Sequence, residues 1–133
     1  MPARRRILIV DDDEAVLLVL HDILAELQNS PQIVACADPG KAVSRIENEH
    51  FDLVLTDLRM PDIDGIALTQ AVREASENTI VIWLTAYGSD EVRETGKRLG
   101  VYRVLDKPLE VSEIQAIVRE ALGHTDKGKP CSS

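Results

Sequence analysis

Short apolar runs alternate along the chain with stretches whose apolar residues return at helical spacing. The runs are Ile7–Val10, Ile33–Ala37, Leu53–Thr56, Thr79–Leu84 and Tyr102–Leu105. Several are apolar at consecutive positions, the pattern of strands covered on both faces. Between them, Val16, Leu20, Ile23, Leu24 and Leu27 fall on one helical face, as do Ile114, Ile117, Val118, Ala121 and Leu122. The segments 39–49, 65–75 and 89–99 predict three further helices, less strongly patterned. Asp13 and Ser89 suit N-caps, and Pro39 suits the first turn of the helix that follows it. Five strands alternating with five helices predict an α/β fold: a doubly wound parallel sheet with helices on both faces and right-handed crossovers. The sequence shows no internal repeat. His124–Ser133 carries Gly, Pro, Ser and Lys with no apolar period, so a domain is expected over 4–123 and a flexible tail or linker over 124–133.

Composition narrows the class. The 133 residues make about one domain. With 44% hydrophobic and 29% charged residues the chain is globular rather than disordered, and with only 3% aromatics its core must be aliphatic. A net charge of −8 argues against direct nucleic-acid binding, which needs clustered Lys and Arg. Arg4-Arg5-Arg6 reads as the solvated start of the first strand. Cys36 and Cys131 have no CxxC spacing, so neither a disulfide framework nor a zinc site is expected. The apolar run Ile7–Val10 is stopped at once by Asp11-Asp12-Asp13. It is too short for a signal peptide or a membrane helix, and a cytoplasmic protein without membrane contact is expected.

In a doubly wound sheet, functional groups gather at the carboxyl ends of the strands. The first strand runs into Asp11, Asp12 and Asp13, the third into Asp57, the fourth into Thr85, and the fifth into Lys107 and Pro108. Singly, each has a bland reading: a helix cap, a turn acid before Met60-Pro61, a structural threonine, a solvated lysine. Together, at the ends of different strands, they make a chemical set. Mg²⁺ wants oxygen ligands and usually takes one or two carboxylates, which Asp12 and Asp57 can supply, while Asp11 can hold a metal-bound water. A carboxylate is also a competent nucleophile toward phosphorus. Phosphoryl transfer is catalysed by positioning and by neutralising the equatorial oxygens, work that suits a metal, the Lys107 ammonium and the Thr85 hydroxyl.

The blocks Ile7–Asp13, Asp52–Pro61 with Asp64-Gly65, Leu84-Thr85-Ala86 and Asp106-Lys107-Pro108-Leu109 resemble the receiver domain of two-component response regulators, over about Arg6 to Leu122. The resemblance implies a flavodoxin-like sheet of strand order 2-1-3-4-5. It implies that Asp57 accepts phosphate from a phosphohistidine of a sensor histidine kinase or phosphotransfer protein. It carries Asp12, Asp57 and the Arg59 carbonyl as ligands of Mg²⁺ (or Mn²⁺), with Asp11 as an outer ligand. It carries Thr85 as the switch hydroxyl, Lys107 as the phosphate-binding lysine, and a cis Lys107–Pro108 bond. Such a protein is a switch rather than an enzyme, catalysing only its own phosphotransfer and dephosphorylation. Its fourth helix, fifth strand and fifth helix would address a downstream protein or output domain, as a monomer or a phosphorylation-linked dimer.

One position departs from the family pattern. Three residues before the lysine, where an aromatic ring is usual, the chain has Val104. Tyr102 lies two residues earlier, on the same face of an extended strand, and is expected to take over as switch reporter. Arg59 and Tyr87 are bulky residues on the loops at the mouth and are expected to slow hydrolysis of the phosphoryl group. The main rival reading is a small phosphatase of the haloacid dehalogenase type, since Asp11-x-Asp13 imitates its motif. Ala15 departs from that motif, and the chain has no room for a cap domain. A degenerate receiver that only binds partners is not favoured, and the absence of GxGxxG and GxxxxGK disfavours a nucleotide-binding domain. With no DNA-binding domain in these residues, a stand-alone regulator and a part of a longer one both fit.

Overall fold

The computed structural model describes residues 4–28, 30–60, 63–86 and 88–127. Strands and helices alternate: β1 (Arg6–Val10), α1 (Glu14–Ala25), β2 (Gln32–Cys36), α2 (Pro39–Asn48), β3 (Leu53–Asp57), α3 (Gly65–Ala75), β4 (Ile80–Thr85), α4 (Asp90–Arg98), β5 (Arg103–Asp106) and α5 (Val111–Lys127). All strand pairs are parallel, as the alternation of elements predicts, and the order is β2-β1-β3-β4-β5, as the resemblance implies. The central strands β1, β3 and β4 are apolar almost throughout because both of their faces are covered.

Alternation along each strand splits the core into two layers. Ile7, Ile9, Leu53, Leu55, Ile82 and Leu84 pack under α1 and α5, meeting Leu17, Leu20, Leu24, Ile114 and Val118. Leu8, Val10, Val54, Val81 and Trp83 face the other way, onto Ala42 and Ile46 of α2 and Leu68 and Val72 of α3. In α4 only Gly96 is buried, and Val92 and Leu99 pack half-buried against this second layer.

Local chemistry sets the helix starts. Asp13 caps α1 by accepting from the Ala15 N–H, Asp38 caps α2 ahead of Pro39, and Ser89 caps α4 by accepting from the Val92 N–H. The far end of α4 is tied down by Arg73 of α3. Its guanidinium donates to the Leu99 carbonyl at 3.0 Å, the Gly100 carbonyl at 2.9 Å and the Thr79 carbonyl at 2.7 Å. Gly100 has φ +73°, a conformation glycine adopts without strain.

The last helix continues to Lys127, past the start expected for a tail at His124. Apolar periodicity stops at Leu122, but an established helix propagates through polar residues with no new nucleation cost. Residues 128–133, including Cys131, lie outside the described residues. Cys36 is a free, buried cysteine.

Candidate functional site

Asp11 leaves β1 and turns inward, fully buried, whereas its neighbours Asp12 and Asp13 are exposed. One Asp11 oxygen accepts from the Asp13 N–H at 2.9 Å, and the other stands 3.3 Å from Lys107 Nζ. Asp57 closes β3 at 8% exposure, and its Oδ1 is 3.5 Å from the same ammonium. A hydrogen bond from the Arg59 N–H to the Asp57 carboxylate works to lower its pKa. Asp11, Asp12 and Asp57 each bring one carboxylate oxygen within 4.8 Å of the others. The order of the strands produces this convergence: β1 and β3 are neighbours, and β5 delivers Lys107 from the far side of β4.

The electrostatics follow from crowding. Burial pushes the Asp57 carboxyl above its ordinary value, Lys107 pulls it back in part, and Asp12 pushes it up again. Burial likewise raises Asp11, with the Asp13 N–H and Lys107 opposing and Asp57 adding to the rise. For Lys107, burial works to lower the pKa, but attraction to Asp11 and Asp57 outweighs it and the ammonium is held above its ordinary value. The pocket is thus a cluster of three acids balanced incompletely by one cation.

A stability consequence has a definite sign. A carboxyl whose folded pKa is raised stabilises the fold below its ordinary value of 3.8, and that contribution is lost as pH rises through the raised value. In EDTA, Asp57→Asn should therefore melt higher than the wild type, and the gap should widen from about pH 4 toward neutrality. Thermal melts of both proteins across that range check it. A gap that is constant or reversed would mean that Asp57 carries no penalty.

Thr85 ends β4 and is buried, and by alternation it shares the face of Val81 and Trp83. Its carbonyl accepts from the Lys107 N–H at 2.8 Å, and the Lys107–Pro108 bond is cis. Arg59 is exposed at the mouth, and Tyr87 lies outside the described residues.

Tyr102 does not share the face of Val104. It precedes β5, where its N–H donates to the Val81 carbonyl, and its ring packs on the α1/α5 layer. Its hydroxyl meets Glu120, and the Arg103 guanidinium lies 5.4 Å from its ring centre. Val104 packs on the opposite layer, toward α4. Alternation holds only inside a regular strand, and Tyr102 stands one residue before it.

Three residues around the site have roles that sequence reasoning missed. Gly65 opens α3 so close to β3 that a Cβ there would sit 2.8 Å from the Asp57 carbonyl oxygen and 2.9 Å from Leu58 Cα. Thr69 donates to the Gly65 carbonyl at 2.7 Å and accepts from the Trp83 indole N–H at 2.8 Å. The available signals were a lone tryptophan in an aliphatic strand and a threonine four residues after the helix-opening glycine.

A doubly wound sheet of this order, with an acid cluster and a lysine at its carboxyl edge, defines the class of two-component signalling switches. A model of the response regulator receiver domain family matches residues 7–119, and the chain belongs to that family, whose function is phosphorylation-based signalling. It is 32% identical over 117 residues to sporulation initiation phosphotransferase F of Bacillus subtilis, covering 88% of this chain and 93% of that protein. It is 37% identical over 123 residues to the regulatory protein AtoC of Escherichia coli, covering 92% of this chain but 26% of that protein. The chain spans half or less of the length of several of the curated relatives it matches. Its fold superposes on a response regulator receiver domain protein from Methanospirillum hungatei with a TM-score of 0.87 at 29% identity, covering 95% of this chain and 99% of that one. Among the described residues no helix is long and apolar enough to cross a membrane.

Proposed function

We propose that Asp57 is the phosphoacceptor of this receiver domain, taking its phosphoryl group from a phosphohistidine of a sensor histidine kinase or phosphotransfer protein. The observation that carries this reading is the Asp57 carboxylate itself: at the end of a central strand, grouped with two further acids, and 3.5 Å from Lys107 Nζ. An Asp57 oxygen forms the bond to phosphorus while the bond to the histidine nitrogen breaks, and the freed imidazole keeps the electron pair. Lys107 neutralises one oxygen of the group in transit and the Thr85 hydroxyl takes another. An all-oxygen donor set of this kind suits a hard cation such as Mg²⁺ or Mn²⁺. Asp12, Asp57 and the Arg59 carbonyl would hold it, with Asp11 fixing a water, and the bound ion supplies charge neutralisation at the phosphoryl oxygens.

The switching unit is residues 4–123, and among the described side chains Leu122 is the last of α5 packed on the core. A downstream protein or output domain is addressed by α4, β5 and α5. The domain acts in the cytoplasm, as a monomer or a phosphorylation-linked dimer. Asp11 is a poor candidate for a phosphatase nucleophile, because it is fully buried with its oxygens engaged by the Asp13 N–H and Lys107.

Acetyl phosphate with Mg²⁺ should label the wild type with a hydroxylamine-sensitive phosphoryl group. Asp57→Asn should abolish the label, and Asp11→Asn should slow its appearance without moving it. Mg²⁺ at a hundred times its dissociation constant should also add about 2.7 kcal/mol of stability. Labelling that survives in Asp57→Asn or in EDTA would overturn the assignment.

A further inference from the structure

We infer that Trp83 is a positioning residue through which the loop after β3 and helix α4 sense each other. The inference rests on the reading of Asp57 given above. Trp83 is fully buried in β4, in register with Thr56 of β3 and Val104 of β5. Thr85 follows two residues later on the same face of the strand, so the indole lies one side-chain layer beneath the proposed site.

The indole touches both elements. Toward α3, its N–H donates to Thr69 Oγ1 at 2.8 Å, and Thr69 donates to the Gly65 carbonyl at 2.7 Å. The Gly65 N–H then donates to the Leu58 carbonyl at 2.8 Å, and the Leu58 N–H donates to the Leu84 carbonyl at 2.9 Å. These bonds form a closed ring: residue 58, next to Asp57, is tied through Gly65, Thr69 and Trp83 back to residue 84. Toward α4, the ring lies against Gly96, where a Cβ would stand 3.4 Å from Trp83 Cζ3 and 3.5 Å from Val104 Cγ2. Gly96 is the one buried residue of α4, so the indole meets the helix at its principal anchor point.

A ligand at Asp57 can shift α4 only through contacts that differ between the two arrangements. Val104 is short, and Tyr102 packs on the opposite layer. Trp83 is a large, directionally bonded side chain in contact with both the acceptor loop's ring of bonds and the buried glycine of α4. A buried indole N–H needs a partner, so Thr69 could serve packing alone. In that case its loss would lower stability and leave the link untouched, and the two roles separate by experiment.

Trp83 is the only tryptophan in the chain, so emission reports on this position without a variant. Beryllofluoride with Mg²⁺, a phosphoryl mimic, should change the emission of the wild type and not that of Asp57→Asn. Amide exchange across residues 88–99 should change on the order of fivefold or more in the wild type. Thr69→Val should lose most of that change, and Thr69→Ser, which keeps the hydroxyl, should retain it. Trp83→Phe gives the same comparison should Thr69→Val fold poorly by its melting curve. Acetyl phosphate labelling of each protein is measured in parallel. No label on the wild type sinks the phosphoacceptor reading itself. A labelled wild type with unchanged emission, unchanged exchange in α4, or a Thr69→Val response equal to its own sinks the role of Trp83 alone.

Discussion

Replacing Lys107 with alanine should slow phosphorylation of Asp57 by acetyl phosphate about 10²–10³-fold, the usual cost of removing one charge-stabilising donor from a transfer site. The Nζ atom is the one cation between Asp11 at 3.3 Å and Asp57 at 3.5 Å among the described residues, and it comes from a strand that supplies no other group to the cluster. Folding should suffer too in EDTA, because two buried carboxylates then face each other unbalanced. A divalent ion compensates those carboxylates equally well in the variant, so Mg²⁺ should restore most of the melting temperature. It does not replace the ammonium at the phosphoryl oxygen, so the rate should stay low. Initial rates and melts in the same Mg²⁺ buffer separate the two effects. A normal rate in Lys107→Ala would leave the residue a purely structural counter-ion.

Gly65→Ala should destabilise the domain by about 1–3 kcal/mol or more. Its Cβ would meet backbone on two sides, the Asp57 carbonyl oxygen at 2.8 Å and Leu58 Cα at 2.9 Å, and neither can yield without moving the end of β3. The usual helix gain of alanine over glycine, about 1 kcal/mol, is too small to offset that. Gly123→Ala is the control. It lies within α5, nothing stands within 4 Å of the added atom, and the change should stabilise by up to about 1 kcal/mol. Urea unfolding of the two variants should move in opposite directions. Should Gly65→Ala match the wild type, the close approach of α3 to β3 is not needed.

The strand ends were legible because the sheet is covered on both faces: β1, β3 and β4 are almost continuously apolar, and an acid or a threonine closes each run at the edge. Asp11, Asp57 and Thr85 stand where those runs stop, and Lys107 follows the short fifth strand directly. Other features depend on geometry that a linear pattern does not carry. Tyr102 and Val104 are two apart, yet the chain enters β5 only at Arg103, so their alternation cannot be extrapolated. Thr69 reads as one more polar position on a helix, and only the packing of α3 on β4 shows that its hydroxyl receives the indole N–H. The tightness at Gly65 is a property of two backbones meeting, and nothing at that position in sequence measures their separation.

The Arg73 clamp gives α4 unequal ends. Its last turn is pinned by two guanidinium bonds to the Leu99 and Gly100 carbonyls, while its first turn hangs from the loop after Thr85 by a serine cap and a half-exposed Arg93–Asp106 pair. A helix of nine residues is an arm about 13 Å long. Pivoted at the clamp, a tilt of about 10° sweeps the free end through about 2 Å and the pinned end through almost nothing. The geometry is that of a lever with its fulcrum far from the acid cluster. A displacement at the Thr85 loop would therefore rotate the helix rather than slide it, and the surface beside Ser89 and Arg93 would change most.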